Sequence, residues 1–152
     1  MTAKYQAFNL TLPPDLFDAV TNRVRGPRER SATIARDLDR LYTLYKLALR
    51  EAPLAVGEAC LICDVLNGTL MDASSVAMLW AEVADGIRLD GLDKKWGVDG
   101  EALVKRLKGL DRLTCLALVD AAERFWVAAP SSQESTEVLV RQFFHVRDAD
   151  EE

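Results

Sequence analysis

Polar and apolar residues alternate at the start of the chain, and the pattern then changes abruptly. Over "YQAFNLTL", Gln6, Phe8, Leu10 and Leu12 fall on one side and Tyr5, Ala7, Asn9 and Thr11 on the other, which predicts a strand from Tyr5 to Leu12. Pro13 and Pro14 end it, because neither can donate to a β-ladder. Pro14 suits the first turn of a helix, and Leu16, Phe17, Val20 and Val24 recur at helical spacing to about Arg25. Gly26-Pro27 breaks that helix. Ser31 is read as the N-cap of a second, strongly amphipathic helix from Ala32. Ile34, Leu38, Leu41, Tyr45 and Leu49 form its apolar stripe, and Pro53 closes it.

The remainder reads as helix throughout. One helix is expected over 54–66, ending at Asn67-Gly68, and one over 73–87 capped by Asp72. A Gly- and Asp-rich connection, "RLDGLDKKWGVDG", comes next. Asp99 is expected to cap 100–108, Asp111 a helix to about Val127, and Pro130-Ser131-Ser132 to lead into a last helix over 133–144. The chain thus divides into a strand-helix-helix module at 1–52, an all-helical domain at 53–146 and an acidic, disordered tail at 147–152.

With 152 residues, 49% of them hydrophobic, the chain can build a core. No apolar run is long enough to span a bilayer, and Met1-Thr2-Ala3-Lys4-Tyr5 lacks the apolar stretch of a signal peptide, so a soluble, cytoplasmic protein is expected. Three cysteines, an odd count, point to reduced thiols. Charge is uneven. Residues 1–52 carry nine Lys/Arg and six Asp/Glu, a net of +3, whereas residues 53–152 carry a net of −8. A basic module on an acidic body suggests separate tasks, and the basic part suits a polyanion.

One strand and two helices bury too little surface to stand alone. Two copies solve this: their strands pair antiparallel into a ribbon over a shared helical core. The order of "FNLTLP" at 8–13, the helix from Pro14, the turn "GPRERS" at 26–31 and the helix from Ala32 resembles the ribbon-helix-helix family of DNA-binding proteins, to which the Arc and methionine repressors belong. The resemblance covers the first third of the chain.

It implies a homodimer, or a higher oligomer built on it, that lays the ribbon in the major groove of double-stranded DNA. Carried over by position, Ala7, Asn9 and Thr11 face the bases. Asn bonds adenine bidentately and Thr contacts thymine, whereas Ala7 departs from the polar residue often found there. Lys4, Arg28, Arg30 and the helix start Ser31-Ala32-Thr33 are assigned to phosphates. Phe8, Leu10, Leu12, Leu16, Val20, Ile34, Leu38 and Leu41 form the dimer core. The function expected is transcriptional repression. A plasmid or phage accessory role in partition or conjugation uses the same module, and a helical adaptor that dimerises through the ribbon is the rival from another class.

The other constellations have plainer readings. Cys60-Leu61-Ile62-Cys63 lies within an apolar helix, where buried thiols act as small hydrophobes, although with Cys115 and His145 it contains the donors of a Cys3His zinc site. His145, the sole histidine, sits beside the tail and makes a poor catalytic base. Gly86, Gly91, Gly97 and Gly100 mark turns without a phosphate-loop pattern. Asp90, Asp93 and Asp99 lack the register of a calcium loop. Trp80, Trp96, Phe125, Trp126, Phe143 and Phe144 are assigned to the core. No catalytic set, metal site or cofactor is expected. The acidic helical domain leaves room for a protein partner or a small ligand.

Overall fold

The computed structural model describes residues 11–24 and 26–148, apart from the side chains of Pro27 and Arg28. It is mainly α, with eight α-helices among the described residues. Most of the expected strand, including Ala7, Phe8, Asn9 and Leu10, lies outside them, as do Lys4 just before it and tail residues 149–152. Two compact units emerge, Met1–Tyr42 and Thr43–Glu152, and the division falls inside α2.

In the first unit, α1 (Pro14–Thr21) starts on Pro14, and the Phe17 N–H reaches the Pro13 carbonyl at 2.9 Å. It ends before the expected Arg25, because Arg23 and Val24 turn back to the carbonyls of Val20 and Thr21 at 3.2 and 3.3 Å. The long helix α2 covers Pro27–Glu51. Its start corrects the N-cap reading of Ser31. Pro27 opens the helix, as proline can where no N–H bond is required, and the Glu29 N–H bonds the Gly26 carbonyl at 3.1 Å. Glu29 also places a negative charge in the first turn, where the helix dipole favours it.

The second unit is built round α3 (Val56–Val65). Ala59, Cys60, Leu61, Ile62 and Cys63 are all buried, so this stretch of the helix is enclosed on every side and serves as a central post. Helices α4 (Leu79–Asp90), α5 (Leu92–Trp96), α7 (Arg112–Ala128) and α8 (Thr136–Phe143) pack on it, and α6 (Gly100–Lys108) packs on α4. The Trp126 indole donates to the Cys63 carbonyl at 2.7 Å, satisfying a group in the last turn of α3. Of the aromatic residues assigned to the core, Phe125 and Phe144 are buried and Trp80, Trp96, Trp126 and Phe143 pack half-buried against it.

Asp99 and Asp111 cap α6 and α7 as expected, accepting from the N–H groups of Ala102 and Thr114 at 3.1 and 2.7 Å. Elsewhere the expectations need correcting. Asp72 does not start a regular helix: its carboxylate takes the Ser74 and Ser75 N–H groups, both at 2.9 Å, and a turn of 3-10 helix at Val76–Met78 precedes α4. The stretch read as a connection is mostly helix, since α4 runs to Asp90 and α5 follows at once. Gly91 and Gly97, at φ of 62° and 64°, let these two helices terminate in the left-handed conformation. The last helix begins at Thr136 rather than Gln133, where Ser135 accepts from the Val138 N–H at 3.3 Å.

The chain after α8 is also more ordered than its charge suggests. Leu54 and Val146 form a parallel β-bridge, with the Leu54 N–H on the His145 carbonyl at 3.0 Å and the Arg147 N–H on the Leu54 carbonyl at 2.8 Å. Arg147, assigned to a disordered tail, is therefore held in place.

Candidate nucleic-acid interface

The basic N-terminal unit holds the residues to which the sequence assigns DNA contact. A guanidinium fork ties the turn after α1 to α2. Arg23 Nη1 donates to Asp37 Oδ1 at 3.3 Å, Nη2 bonds Oδ2 as well, and Nε donates to the Ala19 carbonyl at 3.1 Å. The hydrogen bond from Arg23 holds the Asp37 carboxyl below its ordinary range, and the same bond raises the Arg23 value. The two residues are fourteen positions apart, so no helical periodicity in the sequence announces the pair.

Arg30 lies with its guanidinium 4.6 Å from the centre of the Phe17 ring, a cation–π contact between α2 and α1. Its Nε is buried without a hydrogen-bond partner. A groove of about 310 Å³ opens beside these groups, lined by Arg23, Glu29, Ala32, Thr33 and Arg36.

The assigned contact residues are distributed unevenly. Thr11, Ser31 and Ala32 are exposed, Arg30 is half-buried, and Lys4, Ala7, Asn9 and the side chain of Arg28 lie outside the described residues. Thr33 is buried, and its hydroxyl accepts from Arg36 Nη2 at 3.3 Å. Because α2 starts at Pro27, the backbone N–H groups of Ser31, Ala32 and Thr33 lie inside the helix, where they bond preceding carbonyls. The assignment of phosphate to free amides at 31–33 is therefore corrected: the amides that lack helical partners belong to the first turn, near Gly26 and Arg28.

The assigned dimer core is largely uncovered in a single chain. Val20 is buried, Leu12, Ile34 and Leu41 are half-buried, and Leu16 and Leu38 remain 55% and 44% exposed. Phe17 and Tyr42 add 40% and 38% exposed aromatic surface. Phe8 and Leu10 lie outside the described residues.

Cys60, Cys63 and Cys115 are buried free thiols in the core, and among the described residues no group of three or more His, Cys, Asp and Glu is placed to hold a metal ion. Burial raises all three thiols, Cys60 to about 11 and Cys63 further still. His145 is exposed beyond α8. Among the described residues no helix is long and apolar enough to cross a membrane.

Compared with protein-family models, with curated proteins and with solved structures, the chain matches none.

Proposed function

We propose that the chain is a dimeric DNA-binding protein of the ribbon-helix-helix kind, acting as a transcriptional repressor. The observation that carries this reading is the uncovered apolar face of α1 and α2. Among the described residues of the first unit Val20 is the one buried hydrophobic side chain, while Leu16, Phe17, Leu38 and Tyr42 face outward. A piece of this size with so little core needs a partner surface. The apolar side of the strand expected before Pro13 needs one too, and a second copy supplies both.

Paired strands then carry Ala7, Asn9 and Thr11 on the outer face of the ribbon, at a width the major groove admits. Lys4, Arg28 and Arg30 flank that face, with the first turn of α2 offering amide donors to a phosphate. The net charge of +3 on residues 1–52 favours the encounter, and the acidic remainder keeps DNA off the helical domain.

The test combines sedimentation equilibrium with titration against labelled duplex from the protein's own upstream region and against random duplex, each at two salt concentrations. A dimer that prefers its own region is expected, with Asn9→Ala/Thr11→Ala losing the preference while keeping weak, salt-sensitive binding. A dimer with no affinity for either duplex at low salt sinks the DNA reading and leaves an adaptor that uses the ribbon to dimerise.

A further inference from the structure

The helical unit contains a groove of about 690 Å³ where the end of α2 and the Pro53-Leu54 segment face α6. Its floor is apolar, with Leu54, Leu107 and Leu110 among the lining residues. Its rim is not. Lys105, Arg106 and Arg147 stand there against a single carboxylate, Glu51.

The two arginines are anchored from behind by one buried group. Glu58 is 8% exposed, Arg106 Nη2 bonds its Oε1, and Arg147 Nη2 lies 3.4 Å from its Oε2. That carboxylate also accepts from the Ala55 N–H at 2.9 Å. One carboxylate balances one of the two guanidinium charges, and each guanidinium carries five N–H donors, more than Glu58 can accept. With Lys105, Glu51 and Glu58 all counted, one positive charge remains over an apolar floor. The surrounding residues, 53–152, carry a net of −8, so this positive spot runs against the sign of its domain.

We propose that this groove binds a small organic monoanion with an apolar body, such as a medium-chain carboxylate. The volume lies within the range of about 300–1,000 Å³ typical of small-molecule sites. The apolar floor takes the body, and Arg106 and Arg147, pre-oriented by Glu58, take the carboxylate in the planar geometry a guanidinium fork provides. The single residual positive charge suits one negative charge rather than two, and Glu51, the last residue of α2, lines the same groove, where the partial negative charge of a helix C-terminus turns the site further against a dianion. The assignment is independent of the DNA reading.

The test is calorimetric titration of the full chain with decanoate, and with decanol as a neutral probe of the same length, both below their aggregation limits. Saturable 1:1 binding of decanoate is expected, with decanol at least about ten-fold weaker, the worth of one charge-assisted contact. Ala102 is exposed and lines the groove, so Ala102→Trp fills it without disturbing the core and should abolish decanoate binding. Arg147→Gln should weaken decanoate about ten-fold and leave decanol unchanged. Circular dichroism of each variant confirms that it is folded. Absence of saturable decanoate binding to the wild type overturns the proposal, as does full binding by folded Ala102→Trp. Equal affinity for decanol and decanoate refutes the anionic class.

Discussion

Gly57 is the sharpest test of how the helical unit is packed. It occupies the first turn of α3, and a β-carbon built there would lie 2.6 Å from the Trp96 carbonyl oxygen and 3.2 Å from Val98 Cγ2. The first of these is backbone, at the end of α5, and it has little freedom to move. The Trp96 indole and the Lys95 ammonium both donate to Asp64 on α3, at 2.8 and 2.7 Å, and the Val98 N–H bonds the Asp93 carbonyl at 2.8 Å. Gly57→Ala therefore sets two effects against each other. Alanine is the better helix former by about 0.5–1 kcal/mol. Forcing a methyl into a packed contact costs about 1–3 kcal/mol. The net expectation is a loss of about 1–2 kcal/mol, or a fall in Tm of roughly 2–8 °C for a chain of this size. Urea unfolding followed by far-ultraviolet circular dichroism checks it, and the midpoint should fall with the slope unchanged. Gly109→Ala is the control: its β-carbon meets nothing nearer than 3.5 Å, at an ordinary negative φ of −83°, so its midpoint should hold or rise slightly. A Gly57→Ala protein as stable as wild type, or more so, would refute the reasoning by showing that α5 gives way freely.

Three other expectations rest on single groups. Glu58→Ala removes the acceptor of the Ala55 N–H and the shared partner of Arg106 and Arg147, and should cost about 1–3 kcal/mol in urea unfolding. Glu58→Gln, which keeps the acceptor, should recover part of that loss, and no recovery would mean that the ion pairs dominate. Hydrogen bonding to Thr114 holds Asp111 below its ordinary value of 3.8, so its stabilisation is complete above that pH and lost as pH falls through the depressed folded value. The Tm gap between wild type and Asp111→Ala should accordingly be constant near neutrality and close under strong acid, and a gap that survives there would show that the carboxylate charge is not what matters. Native Cys63, 1% exposed and with its thiol raised by burial, should react with a disulfide reagent at pH 8 only as fast as the core opens, whereas full labelling within the mixing time would contradict its burial.

Mainly helical architecture was legible from apolar period, and a few helices announce themselves a second time by a capping side chain. Asp99 and Asp111 are examples, each an acceptor placed just before a periodic run. Elements failed to show where one signal stood for two structures. Gly91 and Gly97 look like loop residues, yet they end helices that lie directly in sequence, so α5 was hidden in an apparent connector. Ser31 has the chemistry of a cap but sits inside α2, because Pro27 offers an earlier start and the intervening charged residues are good helix formers. Of the candidate interface, the uncovered side chains Leu16 and Leu38 belong to a stripe that periodicity exposes. The Arg23–Asp37 fork and the arginines sharing Glu58 join positions far apart in the chain, and local pattern holds no trace of such pairs.

The bridge between Leu54 and Val146 gives the helical unit a property that its helices alone would not. Ninety-two positions separate the two residues, yet their backbones share hydrogen bonds, so the segment between them forms a closed loop with its ends side by side. A body of that kind can be cut out and spliced into a surface turn of another protein without stretching either partner. Its ends can also be joined by a short linker and new termini opened elsewhere. Tension applied across residues 54 and 146 would meet these bridge hydrogen bonds before it reached the helices, making the bridge the unit's mechanical clasp.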